Sequence, residues 1–77
     1  MEHKVYLKRH EEKRIKSGHL WVFSNEIFLI EGDPNNGDIV EIYDSNKDFI
    51  ASAFYNKNSL IACRVVSYDP VEDITEI

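Results

Sequence analysis

Apolar and polar residues alternate over residues 4–8, and this two-residue period predicts a β-strand. Val5 and Leu7 would point from that strand into the interior of the protein. Residues 11–17 lose the alternation and carry charges of both signs. Glu11 and Glu12 stand in the first turn of this segment, and Arg14 and Lys16 in its last.

The charged segment therefore predicts a short helix. Glu12 and Lys16 are spaced for an i,i+4 pair, and Gly18 stands at the C-cap position. Ile15 is the one apolar residue able to anchor the helix to a core. With so little apolar surface, most of the helix should remain in contact with solvent.

Strand periodicity returns after Gly18, with Trp21 and Phe23 on one face and Leu20 and Val22 on the other. A cationic helix end, a glycine, a histidine and an aromatic strand can together meet a phosphate backbone and stacked bases. Tryptophan is nevertheless more often buried than used as a stacking surface. We therefore expect Trp21 to lie largely in the core, where truncation to alanine would cost about 3–5 kcal/mol.

The remaining pattern predicts further short strands separated by turns. Residues 27–30 are apolar without alternation, which suits either a strand buried on both sides or one crossing a barrel corner. Residues 32–38 form the clearest loop, because they combine proline with Asn-Gly. Three more strands are predicted over residues 39–43, 49–55 and 60–68. Five or six short strands with one short helix indicate a mainly β fold, a small closed or half-open barrel.

Length and composition exclude several classes of protein. A chain of 77 residues is too short for a doubly wound catalytic domain, which needs about 100–200 residues. Cys63 is the sole cysteine, so no internal disulfide can form, and a reducing, cytoplasmic setting is expected. Charged residues interrupt the start of the chain, so we expect no signal peptide and no membrane span. The spacing of His3, His10 and His19 matches no common zinc site.

The net charge of -5 conceals an uneven distribution. Residues 1–19 hold six basic and three acidic side chains, a net +3. Residues 20–77 hold three basic and eleven acidic ones, a net -8. Because screening limits electrostatic attraction to about 8–10 Å at physiological salt, the basic segment can attract an anion despite the acidic remainder. The same charges would also suit a merely solvated helix face.

The order of the motifs resembles a known family. The matching positions are Leu7-Lys8, the basic helix, Gly18-His19-x-Trp21-Val22-Phe23-Ser24, Gly37-Asp38-x-Val40, Asp44-Ser45, Tyr55-Asn56-x-x-Ser59 and Ile61-x-x-Arg64-Val65. Together they are similar to the amino-terminal PUA domain of bacterial class I SAM-dependent methyltransferases that modify C5 of a cytosine in 23S rRNA. Leu20, Lys47 and Lys57 stand where that family usually has proline, glycine and proline. At the second of these departures, Asn46 could take the left-handed position and preserve the turn.

The resemblance implies a PUA-like RNA-binding domain over residues 1–69, with residues 70–77 beginning a linker to a downstream methyltransferase domain. It implies no cofactor in this chain and SAM in that downstream domain. Structured RNA, in this family 23S rRNA, and the downstream domain would be its partners, and no membrane is implied. The RNA-binding residues carried over are Lys13, Arg14, Lys16, Gly18 and His19, with Arg64 as a weaker candidate.

Several alternatives to these roles stay open. His19 could cap the helix end instead of contacting RNA, and Arg64 is expected to pair with a carboxylate near the barrel rim. Cys63 is expected to be a small buried residue, with no catalytic part. The whole chain could be an interaction or structural module that packs on its own catalytic domain. A free-standing enzyme has the least support, and no residue is proposed as catalytic.

Overall fold

The computed structural model describes residues 3–68, apart from the side chains of Glu12 and Arg14. The predicted linker, residues 70–77, lies outside the described residues. The elements follow the order strand, helix, then five strands, with a single 3-10 turn between the second and third strands. They are β1 (His3–Leu7), α1 (Glu12–Lys16), β2 (Trp21–Phe23), the 3-10 turn Ser24–Glu26, β3 (Ile27–Glu31), β4 (Ile39–Tyr43), β5 (Phe49–Tyr55) and β6 (Ile61–Ser67).

The six strands form one mixed sheet in the order β2-β6-β5-β4-β1-β3. The β1–β4 pair is parallel and the other pairs are antiparallel. The two edge strands, β2 and β3, are joined in the chain only by the 3-10 turn. A flat sheet of six strands would hold its edges about 24 Å apart. Four residue steps reach at most about 14 Å, so the sheet must curl.

Backbone hydrogen bonds hold the curled sheet at the 3-10 turn. The Ser24 amide donates to the Leu60 carbonyl (2.8 Å), and the Lys8 amide donates to the Glu26 carbonyl (2.8 Å). The Glu26 carboxylate, which is buried, accepts a hydrogen bond from the Phe23 amide at 2.7 Å. The result is the mainly β half-barrel that the sequence predicted, with a single short helix among the described residues.

The core fills the inside of the half-barrel with aliphatic side chains from most of the strands. Val5 and Leu7 face it from β1, as predicted, and Ile15 anchors α1 to it with 2% of its surface exposed. Other members are Val22, Val40, Ile42, Ala51, Ala53, Cys63 and Val65. Cys63 is the small buried residue that was expected.

The prediction that Trp21 lies in the core is wrong. Its side chain is 42% exposed, whereas the neighbouring Val22 is 1% exposed and belongs to the core. The predicted alternation is present in β2, but Val22 faces the core and Trp21 does not. In β2, Val22 lies opposite Cys63 and faces the core, so the indole of Trp21 takes the other face of the sheet.

The apolar segment after the 3-10 turn also differs from the expectation of burial on both sides. β3 is an edge strand that pairs only with β1 among the described strands. Phe28 is 74% exposed and Leu29 is also exposed, while Ile27 and Ile30 pack against the core. The unbroken apolar run therefore forms an edge strand with two exposed side chains, and the alternative of a barrel corner stays a prediction.

In the turn between β4 and β5, the residue with a positive φ lies one position later than expected. Lys47, and not Asn46, takes the left-handed conformation, with φ of 67°. Its amide donates to the Asp44 carbonyl (3.0 Å), and the Asp44 carboxylate accepts hydrogen bonds from the Asn46 and Asp48 amides. Lysine thus takes a conformation in this turn that usually favours glycine.

Candidate nucleic-acid interface

Helix α1 is positioned by its buried side and presents its basic side to solvent. Beyond the helix end, the Tyr68 hydroxyl donates to the Ile15 carbonyl at 3.2 Å. Lys13 is exposed, and its carbonyl accepts hydrogen bonds from the Ser17 amide and hydroxyl. Those bonds involve only the backbone of Lys13, so its ammonium group extends from the helix surface. The side chain of Arg14 is outside the part of the chain that the structure describes.

Lys16 has a partner that the sequence did not suggest. Its Nζ lies 3.4 Å from Oδ2 of Asp44, in the β4–β5 turn, and its side chain is 55% exposed. Burial alone would raise the pKa of Asp44, but hydrogen bonds from the Asp48 and Asn46 amides, together with Lys16, lower it below its ordinary value. The carboxylate is therefore ionised and partly neutralises Lys16. The predicted pairing with Glu12 involves a side chain outside the description.

The loop after α1 depends on the conformation of Gly18. Its φ is +104°, a value that L residues with a side chain rarely adopt, and its amide donates to the Ile15 carbonyl at 3.1 Å. A Cβ at this position would meet nothing within 4 Å, so the space in front of the glycine is open. His19 follows and is exposed. The loop is then fixed to β6 by the Val65 amide, which donates to the Leu20 carbonyl at 2.7 Å.

Arg64 lies on β6 directly beside this loop. Its Cα is in register with Trp21 on β2 and with Phe54 on β5. Residues opposite one another in a sheet point to the same face, so the three side chains form a line across the strands, here named the Trp21–Arg64–Phe54 row. All three are exposed, on the face opposite the core pair of Val22 and Cys63.

The expectation that Arg64 pairs with a carboxylate is wrong for the residues that the structure describes. Among the side chains that the structure describes, ion pairs join His3 to Asp38, Lys16 to Asp44 and Lys57 to Asp33, and none involves Arg64. Arg64 instead borders a cavity of about 350 Å³ together with Phe54, Asn56 and Ser59. An exposed guanidinium beside aromatic rings can contact a phosphate or the plane of a base.

The structure thus brings some of the predicted residues together and separates others. Gly18, His19 and Arg64 lie along one side of the sheet, where β2 begins and pairs with β6. Lys13 and Lys16 lie on α1, and Lys16 faces the β4–β5 turn. Phe54 was not among the residues predicted from the sequence, and Trp21 was predicted in the core. Trp21 and Phe54 lie beside Arg64 because of the register between strands. Alternation within a single strand does not reveal that register.

Cys63 and the side chains able to bind metal bear on covalent and metal chemistry. Burial raises the pKa of the Cys63 thiol to about 12, so that thiol stays protonated near neutral pH. Within residues 3–68, no cluster of three or more histidine, cysteine, aspartate or glutamate side chains is arranged to hold a metal ion. Over the same residues, no helix has the length and apolar character required to span a bilayer.

Comparison with protein families and curated sequences identifies relatives of the chain. The family model of the PUA-like domain matches residues 5–68. Ribosomal RNA large subunit methyltransferase I of Pseudoalteromonas translucida is 43% identical over 72 residues, covering 94% of this chain and 18% of the relative. The protein of the same name from Photobacterium profundum is 39% identical, covering 91% and 18%. The chain therefore spans less than a fifth of the length of these relatives.

Comparison with solved structures supports the same fold. A putative SAM-dependent methyltransferase from Streptococcus mutans superposes with a TM-score of 0.68 over 92% of this chain and 18% of that protein, at 20% identity. At that identity the likeness concerns the fold alone. The family model matches residues 5–68, and the relatives and the curled sheet agree with it. The chain therefore belongs to the family of PUA-like domains.

Proposed function

We propose that this PUA-like domain docks ribosomal RNA for a SAM-dependent rRNA methyltransferase whose catalytic domain lies elsewhere in the parent protein. The name shared by the relatives, ribosomal RNA large subunit methyltransferase I, supports an rRNA substrate. Our more specific proposal is that the substrate is 23S rRNA and that the parent enzyme methylates C5 of a cytosine. SAM would bind the catalytic domain, and this chain would supply affinity and orientation.

The observation that carries the proposal is the continuity between the basic helix and the loop of Gly18 and His19. Lys13 extends into solvent, and the open space at Gly18 lets a sugar or phosphate approach the backbone. The loop is fixed to β6 through Leu20 and Val65, so it is held in place before RNA arrives. Long cations beside accessible backbone are the groups that contact the phosphates and 2′-hydroxyls of RNA.

The proposal predicts weak binding of structured RNA with a strong dependence on salt. If three or four phosphates are neutralised, log K should fall against log salt with a slope of about -2 to -4. Lys13→Glu should weaken binding and reduce the magnitude of the slope by about 1 or more, since one phosphate contact is lost. Fluorescence anisotropy of a labelled rRNA hairpin across a salt series measures both quantities.

Lys57→Glu provides the matched control. Lys57 is a half-exposed lysine between β5 and β6, outside α1 and the loop of Gly18 and His19, and its amide donates to the Asn36 side chain. The charge change is identical, so a general effect of net charge would weaken binding equally in both variants. Lys16→Gln is preferable to a glutamate at that position, because glutamine can still donate to Asp44 and leaves the turn intact. Equal binding by the Lys13→Glu variant and the parent would refute the proposed interface.

An interaction module remains the second candidate, because β3 is an edge strand among the described residues and carries exposed apolar side chains. Phe28 and Leu29 are exposed there and line a cavity of about 320 Å³ with Tyr6, Leu7 and Arg9. An exposed strand edge of this kind can pair with or pack against another protein surface. This alternative predicts no salt-dependent RNA binding, so the same titration separates the two functions.

A further inference from the structure

The Trp21–Arg64–Phe54 row has the composition and placement of a surface that stacks nucleobases. Neighbouring strands are about 4.8 Å apart, so the three side chains occupy about 10 Å along one line. The indole and the phenyl ring are 42% and 45% exposed. Each ring therefore offers part of its surface to solvent, with a guanidinium between them.

The polar surroundings of the row favour a nucleotide over an apolar protein segment. The cavity that Arg64 and Phe54 border also has Asn56, Ser59 and the backbone of Gly37 in its wall. An amide and a hydroxyl can bond the edge of a base, and arginine can bond a phosphate or stack on the base. The volume of about 350 Å³ falls within the range of roughly 300–1,000 Å³ typical of small-molecule sites.

The row also continues the proposed interface. Trp21 follows Gly18, His19 and Leu20 directly in the chain, and the Val65 amide that bonds Leu20 comes from the residue after Arg64. A strand whose phosphates contact α1 and the loop would thus arrive at the row without crossing the core. Paired bases in an A-form helix do not expose their faces, so only an unpaired nucleotide can stack here.

We propose that the Trp21–Arg64–Phe54 row binds an unpaired nucleotide of the RNA, with the base against the aromatic rings and Arg64 at its phosphate or ring plane. This inference rests on the proposed function, because it assumes that RNA reaches this side of the sheet. It adds a substrate class to that function: RNA with an unpaired segment next to a structured one, in preference to a continuous duplex.

The single tryptophan makes the proposal directly measurable. Two RNA probes are titrated into the 77-residue chain at low salt: a hairpin with a single-stranded tail, and a blunt-ended duplex of matched length. Labelled-RNA anisotropy reports binding, and Trp21 emission reports stacking. We expect the tailed hairpin to quench Trp21 and to bind more tightly than the duplex, whereas the duplex should leave the emission nearly unchanged.

Variants test each member of the row. Phe54→Ala and Trp21→Ala should each weaken binding of the tailed hairpin by about 5- to 150-fold, the range for loss of one stacked base, and should affect the duplex far less. Arg64→Lys keeps the charge but loses the planar group, so it should reduce the preference for the tailed probe. Phe28→Ala is the matched control, since it removes an exposed aromatic ring on β3 that is not part of the row.

The outcomes separate this inference from the proposed function. Salt-dependent binding of both probes with unchanged Trp21 emission, and no loss in the Phe54→Ala variant, would overturn the stacking inference and leave RNA docking in place. Absence of binding to either probe at low salt would overturn both. Emission that changes with the concentration of the chain, and not with RNA, would assign the row to a contact between copies and would also refute the inference.

Discussion

Trp21 and Val22 are adjacent in the chain but have opposite environments. The smaller side chain is in the core and the larger one is at the surface, although burying the indole would remove more apolar area from water. Burial depends on the space that the curled sheet leaves inside, and the first position of β2 faces outward. A ranking of residue types by hydrophobicity therefore predicts the wrong residue of this pair for the core.

Intrinsic fluorescence should reveal the exposure of Trp21. Because 42% of the indole surface is accessible, acrylamide should quench its emission in the folded chain to an intermediate degree. The emission maximum should lie between those of a buried and a fully hydrated indole. The denatured chain provides the control for full accessibility. Blue-shifted emission resistant to acrylamide would restore the interpretation of a core tryptophan.

At the scale of elements, the β4–β5 turn shows how a local departure from the family pattern is accommodated. Lys47 takes a positive φ that lysine disfavours, while Asp44 accepts hydrogen bonds from two amides within the turn. The same carboxylate accepts a bond from Lys16 on α1. The turn therefore also positions the basic helix. Distortion of the turn would displace the helix at the proposed RNA interface.

Replacing the strained lysine with glycine should stabilise the domain. The left-handed conformation costs an L residue about 1–2 kcal/mol, which glycine avoids, although glycine loses more backbone entropy on folding. We expect Lys47→Gly to raise the free energy of unfolding by about 0.5–1 kcal/mol, measured by urea denaturation. Lys57→Gly is the control, because Lys57 is not among the described residues with positive φ. That substitution should be neutral or destabilising, and an equal gain from both would refute the strain argument.

For the whole molecule, the curl of the sheet decides which surfaces exist. The short link between β2 and β3 brings two edge strands near each other, closes the core and leaves the outside of β2, β5 and β6 available for the Trp21–Arg64–Phe54 row. Charge is also distributed at this scale. The acidic remainder of the chain should repel RNA, so binding is expected only on the side that carries α1.

Acid stability of the folded molecule should depend on Asp44. Its pKa is lowered on folding, so the stabilisation it provides is fully present above its ordinary value of 3.8 and is lost as the pH falls through the lower folded value. Asp44→Asn should therefore destabilise the domain at pH 7 and flatten the loss of stability below about pH 4. Thermal denaturation followed by circular dichroism across this range measures the difference. An unchanged acid profile would show that the carboxylate contributes little.

The stability of the folded chain at alkaline pH should depend on Cys63. Burial raises the pKa of its thiol from 9.0 to about 12, so between these values the unfolded chain loses a proton that the folded chain keeps. Stability should then fall as the pH rises above 9, by up to about 1.4 kcal/mol per pH unit for this one group. Cys63→Ala should lose some stability at neutral pH but show a shallower alkaline decline. Parallel alkaline profiles for the two proteins would contradict this assignment.

The sequence by itself determined the elements of this protein and most of its turns. Residues 39–43 and 49–55 form strands with the predicted bounds, and Gly18, two residues after the end of α1, has the positive φ expected of a C-cap glycine. These outcomes depend on interactions between residues near in the chain, namely alternation, capping and turn preference. The mainly β class and the PUA-like family followed from the same local patterns in their order.

Only the tertiary structure decided which side chains share a surface. The pairing of Lys16 with Asp44 spans 28 positions, and the alignment of Trp21, Arg64 and Phe54 depends on the register of three strands. Neither follows from a period within one segment, because register is set by packing the curled sheet around its core. The face that Trp21 occupies was decided in the same way, because the pairing of Val22 with Cys63 in the core turns the indole to the other face.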